Sequence, residues 1–135
     1  MNRDEIAHLL ENHDVTPTQQ RLDVGEVILA TPQHSSADQI LAACKERGSR
    51  ISKATVYNTL HLFCERGLLR TVNIDPERQF YDPTVRAHHH FYNVDTGELT
   101  DIPASAIELT VRAALPPGTK QQDVDVVVRV RSNSV

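Results

Sequence analysis

Three consecutive histidines, His88, His89 and His90, carry the clearest chemistry in this sequence. They begin the stretch HHHFYNV, which reads as a strand. On a strand, alternate side chains share a face, so His88 and His90 point together and His89 points away. A lone histidine is usually structural or exposed, whereas two on one face beside carboxylates are candidate metal ligands. Asp82 lies six residues before His88, and Asp101 lies eleven after His90 on the partner strand of the same hairpin. His34 stands far upstream, where a helix opens. His8, His13 and His61 lie on helices without carboxylate companions in register and read as ordinary surface or core side chains. The two cysteines, Cys44 and Cys64, form no CxxC pair, so free thiols are expected rather than a disulfide framework. No arrangement of nucleophile and base stands out.

The elements that must hold these residues follow from periodicity and punctuation. Residues 3–13 read as a short helix with Ile6, Leu9 and Leu10 on one face. Pro17 breaks the chain there, because proline disfavours helical geometry in the residue before it. Thr18 caps a second helix running to about Ala30, and Pro32 ends it. Ser35 or Ser36 caps a third, from Ala37 to about Arg47, and Gly48 stops it. Ser52 precedes a fourth, Lys53–Arg66, in which Val56, Leu60 and Phe63 recur at helical spacing and Gly67 ends the run. Strands follow at 68–74 and 79–81 around the turn Asp75-Pro76-Glu77. Helices followed by a hairpin make the winged variant of helix-turn-helix, with the fourth helix placed for the major groove of a duplex.

Beyond a hinge at 83–86 the spacing predicts strands at 88–94 and 98–102, a helix from about Ala104 to Leu115, and a last strand at 124–130. The expected class is therefore α+β: a winged helix-turn-helix domain over 1–82, and a small α/β dimerisation domain over 87–135. The second domain is near the lower limit for independent stability, and an apolar edge strand in it would invite a second subunit.

Composition bounds the rest. Apolar residues make up 39% of the 135 and charged residues 24%, which is globular rather than disordered. No apolar run approaches the roughly 18 residues that span a bilayer. The first residues lack a signal-peptide core, so a cytoplasmic location without membrane partners is expected. The net charge of -4 does not by itself suggest nucleic acid. Between Cys44 and Arg70, however, six basic residues (Lys45, Arg47, Arg50, Lys53, Arg66, Arg70) face only two acidic ones, Glu46 and Glu65.

The stretch ISKATVYNTLHLFCERGLLRTVNID, with TPTQQR near the second helix and HHHFYNVDTGELTDI downstream, resembles the ferric uptake regulator (Fur) family. The likeness covers nearly the whole chain. Within the family it resembles most the iron response regulator (Irr) branch, through the histidine run followed by Phe91-Tyr92 and through the C-terminal VDVVVRVR. The resemblance implies a homodimer that binds a palindromic double-stranded DNA operator and takes no small-molecule substrate. It further implies a regulatory metal site of His34, Asp82, His88, His90 and Asp101 that bridges the two domains.

Such a donor mix suits Fe2+, Mn2+ or Zn2+ without strong selection. Aspartates at both carboxylate positions are similar to the peroxide-sensing (PerR) branch. The Irr likeness also brings haem, for which a neutral imidazole can be an axial ligand. No Cys-Pro dipeptide is present for a cysteine-type haem site. Iron, manganese, zinc, haem and peroxide all stay open as effectors. Relatives carry CxxC pairs that hold a structural zinc. Here the first pair's positions are Asn93 and Thr96, so no structural zinc held by four cysteines is expected. A second family site would use His89 and Glu108, with too few further ligands to be strong.

Backbone contacts to DNA are expected from Arg21, Arg50, Lys53 and Thr55, and base contacts from Tyr57 and Asn58. The chain reads as a regulator of iron, haem or peroxide-response genes and not as an enzyme. Two alternatives stand beside that reading. One is a DNA-binding protein indifferent to metal. The other is a non-haem iron enzyme with two histidines and one carboxylate, for which the chain is small.

Overall fold

Helix caps explain where the first elements begin. In this computed structural model, which describes residues 1–30, 34–83, 89–122 and 124–133, α1 is Arg3–Asn12, α2 is Gln19–Ile28, α3 is Ala37–Glu46 and α4 is Lys53–Glu65. Asn2 and Glu5 form a reciprocal capping box on α1, as Ser36 and Gln39 do on α3. Thr18 and Ser52 accept the amides of Arg21 and Thr55 at 3.3 and 3.1 Å, capping α2 and α4. Gly48 and Gly67, at φ of 85° and 77°, close α3 and α4. Behind them the amides of Ser49 and Leu68 reach back to the carbonyls of Cys44 and Phe63, which satisfies the frayed ends.

The chain divides into two units, Met1–Val85 and Arg86–Val135. The first unit buries Ile6, Leu10, Val24, Ile28, Ile40, Cys44, Val56, Leu60 and Phe63 in one core shared by the four helices. Gly25 is there because α1 passes so close that a Cβ would stand 2.8 Å from Ile6 Cγ2. The wing is a three-stranded antiparallel sheet of β1 (Ser35–Ser36), β2 (Arg70–Asp75) and β3 (Arg78–Asp82), in the order β1-β3-β2. The expected hairpin is present, one or two residues displaced. The two-residue β1 was not anticipated; it pairs Ser35 with Tyr81 and Ser36 with Phe80.

In the second unit β4 (His89–Asn93) runs between β5 (Leu99–Ile102) and β6 (Val127–Val130). β4 is antiparallel to β5 and parallel to β6. Two expectations are corrected here. The last strand is shorter than 124–130. The helix expected over 104–115 is not formed: only Ala104–Ala106 make a single turn, and the described residues from Ile107 to Val126 hold no regular element. Its apolar side chains bury no face among the described residues. Leu109, Val111 and Leu115 are 54, 50 and 45% exposed, and a short helix draws most of its stability from a buried apolar face. The β-branched pair Thr110-Val111 weakens its intrinsic propensity as well. Of the expected hinge, residues 84–86 lie outside the described residues. Among the described residues no helix is long and apolar enough to cross a membrane.

Candidate metal centre and nucleic-acid face

In the first unit, β1 is what brings His34 to a carboxylate. His34 does not open a helix; it immediately precedes β1. The antiparallel register that sets Ser35 against Tyr81 continues to His34 against Asp82. His34 Nδ1 lies 3.0 Å from Asp82 Oδ2. Asp82 is 1% exposed and also faces Arg70 across β2. A carboxylate so deeply placed needs compensating cationic or donor groups to remain ionised, and both neighbours are of that kind.

In the second unit, His90 and Asp101 are direct cross-strand partners on β4 and β5. His90 Nε2 lies 3.4 Å from Asp101 Oδ1. His90 is buried, and so is Tyr92 two residues on, while Phe91 between them is exposed. The alternation places His90 on the inward face, as a period of two requires. Asp101 has a side chain 53% exposed. Each pair thus offers one imidazole nitrogen and one carboxylate oxygen from backbone fixed by a sheet, and His34, Asp82, His90 and Asp101 are all of a type that ligates divalent metal. The donor chemistry fits the expected metals. His88 lies outside the described residues.

His89 belongs to the opposite face of β4. Its Nδ1 accepts the amide of Val126 at 3.0 Å, which occupies one of its two ring nitrogens. Glu108 is exposed on the irregular segment. At the turn after β4, Asn93 Oδ1 accepts the amides of Asp95 and Thr96 at 2.9 and 3.1 Å. Asp95 Oδ2 in turn accepts the amide of Ser132 at 2.9 Å. This turn is therefore knit by side-chain to backbone hydrogen bonds.

The expected nucleic-acid residues lie on and around α4. Val56, Thr59, Leu60 and Phe63 are buried, and Ala54, Tyr57, Asn58, His61 and Glu65 are exposed along the opposite side. Lys53 Nζ stands 3.5 Å from Asp38 Oδ1 and 6.0 Å from the centre of the Tyr57 ring. Arg50 is exposed in the turn before the helix. Arg21, Thr55 and Asn58 line one concavity of about 300 Å³ between the start of α2 and α4. Arg21 donates to the carbonyl of Thr16 at 2.9 Å, which holds its guanidinium near the α2 cap.

Gln20 lines the same concavity and was not singled out from the sequence. Its place in TPTQQR beside Arg21 was the available clue. His61, expected to lack a carboxylate companion, has one: Glu65 sits at i+4 with its Oε1 3.0 Å from His61 Nε2.

Four helices leading into a β-wing, with one face of the fourth helix exposed, define a winged helix-turn-helix protein with a second, sheet-based unit. The ferric uptake regulator family model matches residues 4–129, and the chain belongs to that family. It is 30% identical over 117 residues to the ferric uptake regulation protein of Pseudomonas putida, covering 84% of this chain and 87% of that one. It is 28% identical over 92 residues to the peroxide-responsive repressor PerR of Staphylococcus saprophyticus, covering 68% of this chain. That match spans 62% of the relative's length, somewhat under two thirds. Among solved structures, the ferric uptake regulator from Pseudomonas aeruginosa with manganese superposes with a TM-score of 0.72 at 26% identity, covering 99% of this chain and all of that one.

Proposed function

We propose that the chain is a dimeric, sequence-specific DNA-binding transcriptional regulator whose operator affinity is controlled by one divalent metal ion. The observation that carries this reading is the pair of cross-strand His–Asp couples, His34–Asp82 at 3.0 Å and His90–Asp101 at 3.4 Å. Two donors are too few to hold a divalent cation firmly, and the two couples together with His88 make a five-donor N/O set. Because the couples lie in different units, an ion shared between them binds well in one arrangement of the units only. Its differential affinity then biases that arrangement, which is what coupling to DNA requires. Relatives named for ferric uptake regulation and peroxide response, and one solved with manganese, support the same assignment. Iron- or peroxide-response genes are the proposed targets.

α4 is the proposed reading element. Tyr57 presents a ring to a thymine methyl, and Asn58 offers an amide to adenine. Arg21, Arg50, Lys53 and Thr55 bind phosphates beside them. The exposed apolar side chains of the second unit, Phe91, Leu109, Val111, Val128 and Val130 among them, are the proposed surface for the second copy. Two-fold symmetry in the protein then matches a palindromic operator.

The test is selection of binding sites from random DNA, followed by affinity measurement with apo protein and with Fe2+ (anaerobic), Mn2+, Zn2+ or haem. The reading expects a change of about fivefold or more with at least one divalent ion, in the range of ordinary allosteric coupling. Selection of a defined site with no effector response above about twofold would leave a constitutive DNA binder and refute metal control. Failure to select any site would refute the DNA-binding reading itself.

A further inference from the structure

The exposed stripe of α4 does not stop at Asn58. Ala54, Tyr57, Asn58, His61 and Glu65 are all exposed, at intervals that follow the helical repeat. The buried stripe Val56, Thr59, Leu60 and Phe63 occupies the other side. His61 therefore shares the face of the two side chains proposed to read bases, one turn beyond Tyr57. Its side chain is 77% exposed, so little of it serves the core. It is nevertheless oriented: Nε2 lies 3.0 Å from Glu65 Oε1 in an i, i+4 pair. The pair limits the ring's rotation and leaves most of it open to solvent.

We propose that His61 is a third base-reading side chain of α4 and that Glu65 is the residue that orients it. The inference rests on the DNA-binding reading above. The three residues from Asn58 to His61 rise about 4.5 Å along the helix axis, and successive base pairs are spaced about 3.4 Å apart. The imidazole then falls roughly one base pair beyond the one facing Asn58. Imidazole nitrogens match the hydrogen-bonding edges of the major groove, where every base pair shows a distinct pattern. An unpaired carboxylate on this face would repel phosphates. In contact with His61, Glu65 fixes the ring and is turned along the helix toward it. Arg66 beyond it and Arg50 and Lys53 at the other end flank the face with positive charge.

The experiment is site selection from random DNA with the full-length protein, His61→Ala, Glu65→Gln and Asn58→Ala, each in the effector state that binds best. Affinity is then measured on the selected operator and on single-base-pair variants of it. His61→Ala is expected to lose preference at one base pair per half-site, adjacent to the position lost in Asn58→Ala. The expected loss of discrimination there is about fivefold or more, the scale of one misread pair. Glu65→Gln is expected to weaken the same preference by less. Thermal midpoints should stay near that of the parent, because both side chains are exposed.

Two outcomes would overturn the proposal. One is an unchanged selected sequence in His61→Ala. The other is a uniform affinity loss across all sequences with a shallower salt dependence, which would make His61 a phosphate contact. If the parent protein selects no sequence at all, the DNA-binding reading fails instead, and that result is distinct from both.

Discussion

Asp101→Ala separates metal binding from folding, because the structure gives Asp101 and His90 very different surroundings. His90 is 2% exposed, whereas the Asp101 side chain is 53% exposed. A polar contact with one half in solvent competes with water and is entropically costly to hold, so its loss should cost the metal-free protein on the order of 1 kcal/mol. In the proposed metal complex the variant lacks one carboxylate donor. Removing a group that merely orients a ligand typically lowers metal affinity by about 10–100-fold, so about 30-fold is a conservative figure for a ligand itself.

At Mn2+ equal to about 100 times the parent dissociation constant, binding stabilises the parent by about 2.7 kcal/mol. At the same Mn2+ the roughly 30-fold weaker variant gains only about 0.9 kcal/mol by that relation. For a chain of this size roughly 3–4 °C accompanies each kcal/mol. Mn2+ should then raise the parent's melting temperature by about 9 °C and the variant's by about 3 °C. Glu98→Ala, an exposed carboxylate just before β5, is the control and should behave like the parent. Differential scanning fluorimetry with and without Mn2+, at matched protein concentration, reads all three. An Asp101→Ala shift equal to the parent's would remove Asp101 from the ligand set. An equal loss in Glu98→Ala would mean that the metal is held diffusely by surface charge.

Two further predictions concern the fold. Gly25→Ala places a Cβ 2.8 Å from the Cγ2 of Ile6, which is wholly buried. Because Cγ2 is bonded directly to a stiff Cβ, α1 itself must shift. Overpacking of ~1–3 kcal/mol exceeds the ~1 kcal/mol gained in helix propensity, so urea denaturation should show a net loss of about 1 kcal/mol. Ile6→Leu in the same chain should relieve part of it, and a stabilised Gly25→Ala would refute the close approach. The second prediction follows from titration. Burial pushes the thiols of Cys44 and Cys64 up, and burial followed by charge repulsion does the same to the Tyr81 phenol. The native state therefore keeps protons that the unfolded chain releases. This stability is fully present below the unfolded-state value of 9.0 for the thiols and is lost as pH rises through the higher native values. Denaturation midpoints should fall from about pH 8 to about pH 11, and less steeply in Cys64→Ser. A flat or rising profile would refute the assignment.

Local chemistry made the first unit legible. Thr18, Ser36 and Ser52 announce helix starts because their side chains answer amides that the helix leaves open. Gly48 and Gly67 announce the ends because the chain there takes positive φ. What could not be read locally is whatever depends on a partner distant in sequence. β1 has only two residues and no strand composition, and it exists because Tyr81 and Phe80 lie opposite it. The parallel pairing of β6 with β4 is of the same kind. The expected helix over 104–115 is absent for the complementary reason: its apolar residues suggest one buried face, and among the described residues Leu109, Val111 and Leu115 stay exposed. The His61–Glu65 contact, by contrast, needs nothing distant: residues four apart on a helix are neighbours.

The same distinction explains the candidate ligands. No propensity places a histidine against an aspartate 48 residues away; register does. Once Ser35 pairs with Tyr81, His34 has no neighbour across the ladder but Asp82. Once Phe91 pairs with Thr100, His90 has Asp101. A slip of one residue in either ladder would turn the imidazole to the opposite face and destroy the couple. Donor geometry is thus guarded by every hydrogen bond of the ladder rather than by the ligands' own rotamers. The couples also differ in a way that matters for exchange. Asp82 is sealed at 1% exposure and must stay compensated whether or not metal is present. Asp101 is open to water and can exchange a hydration shell for a ligand role at little cost.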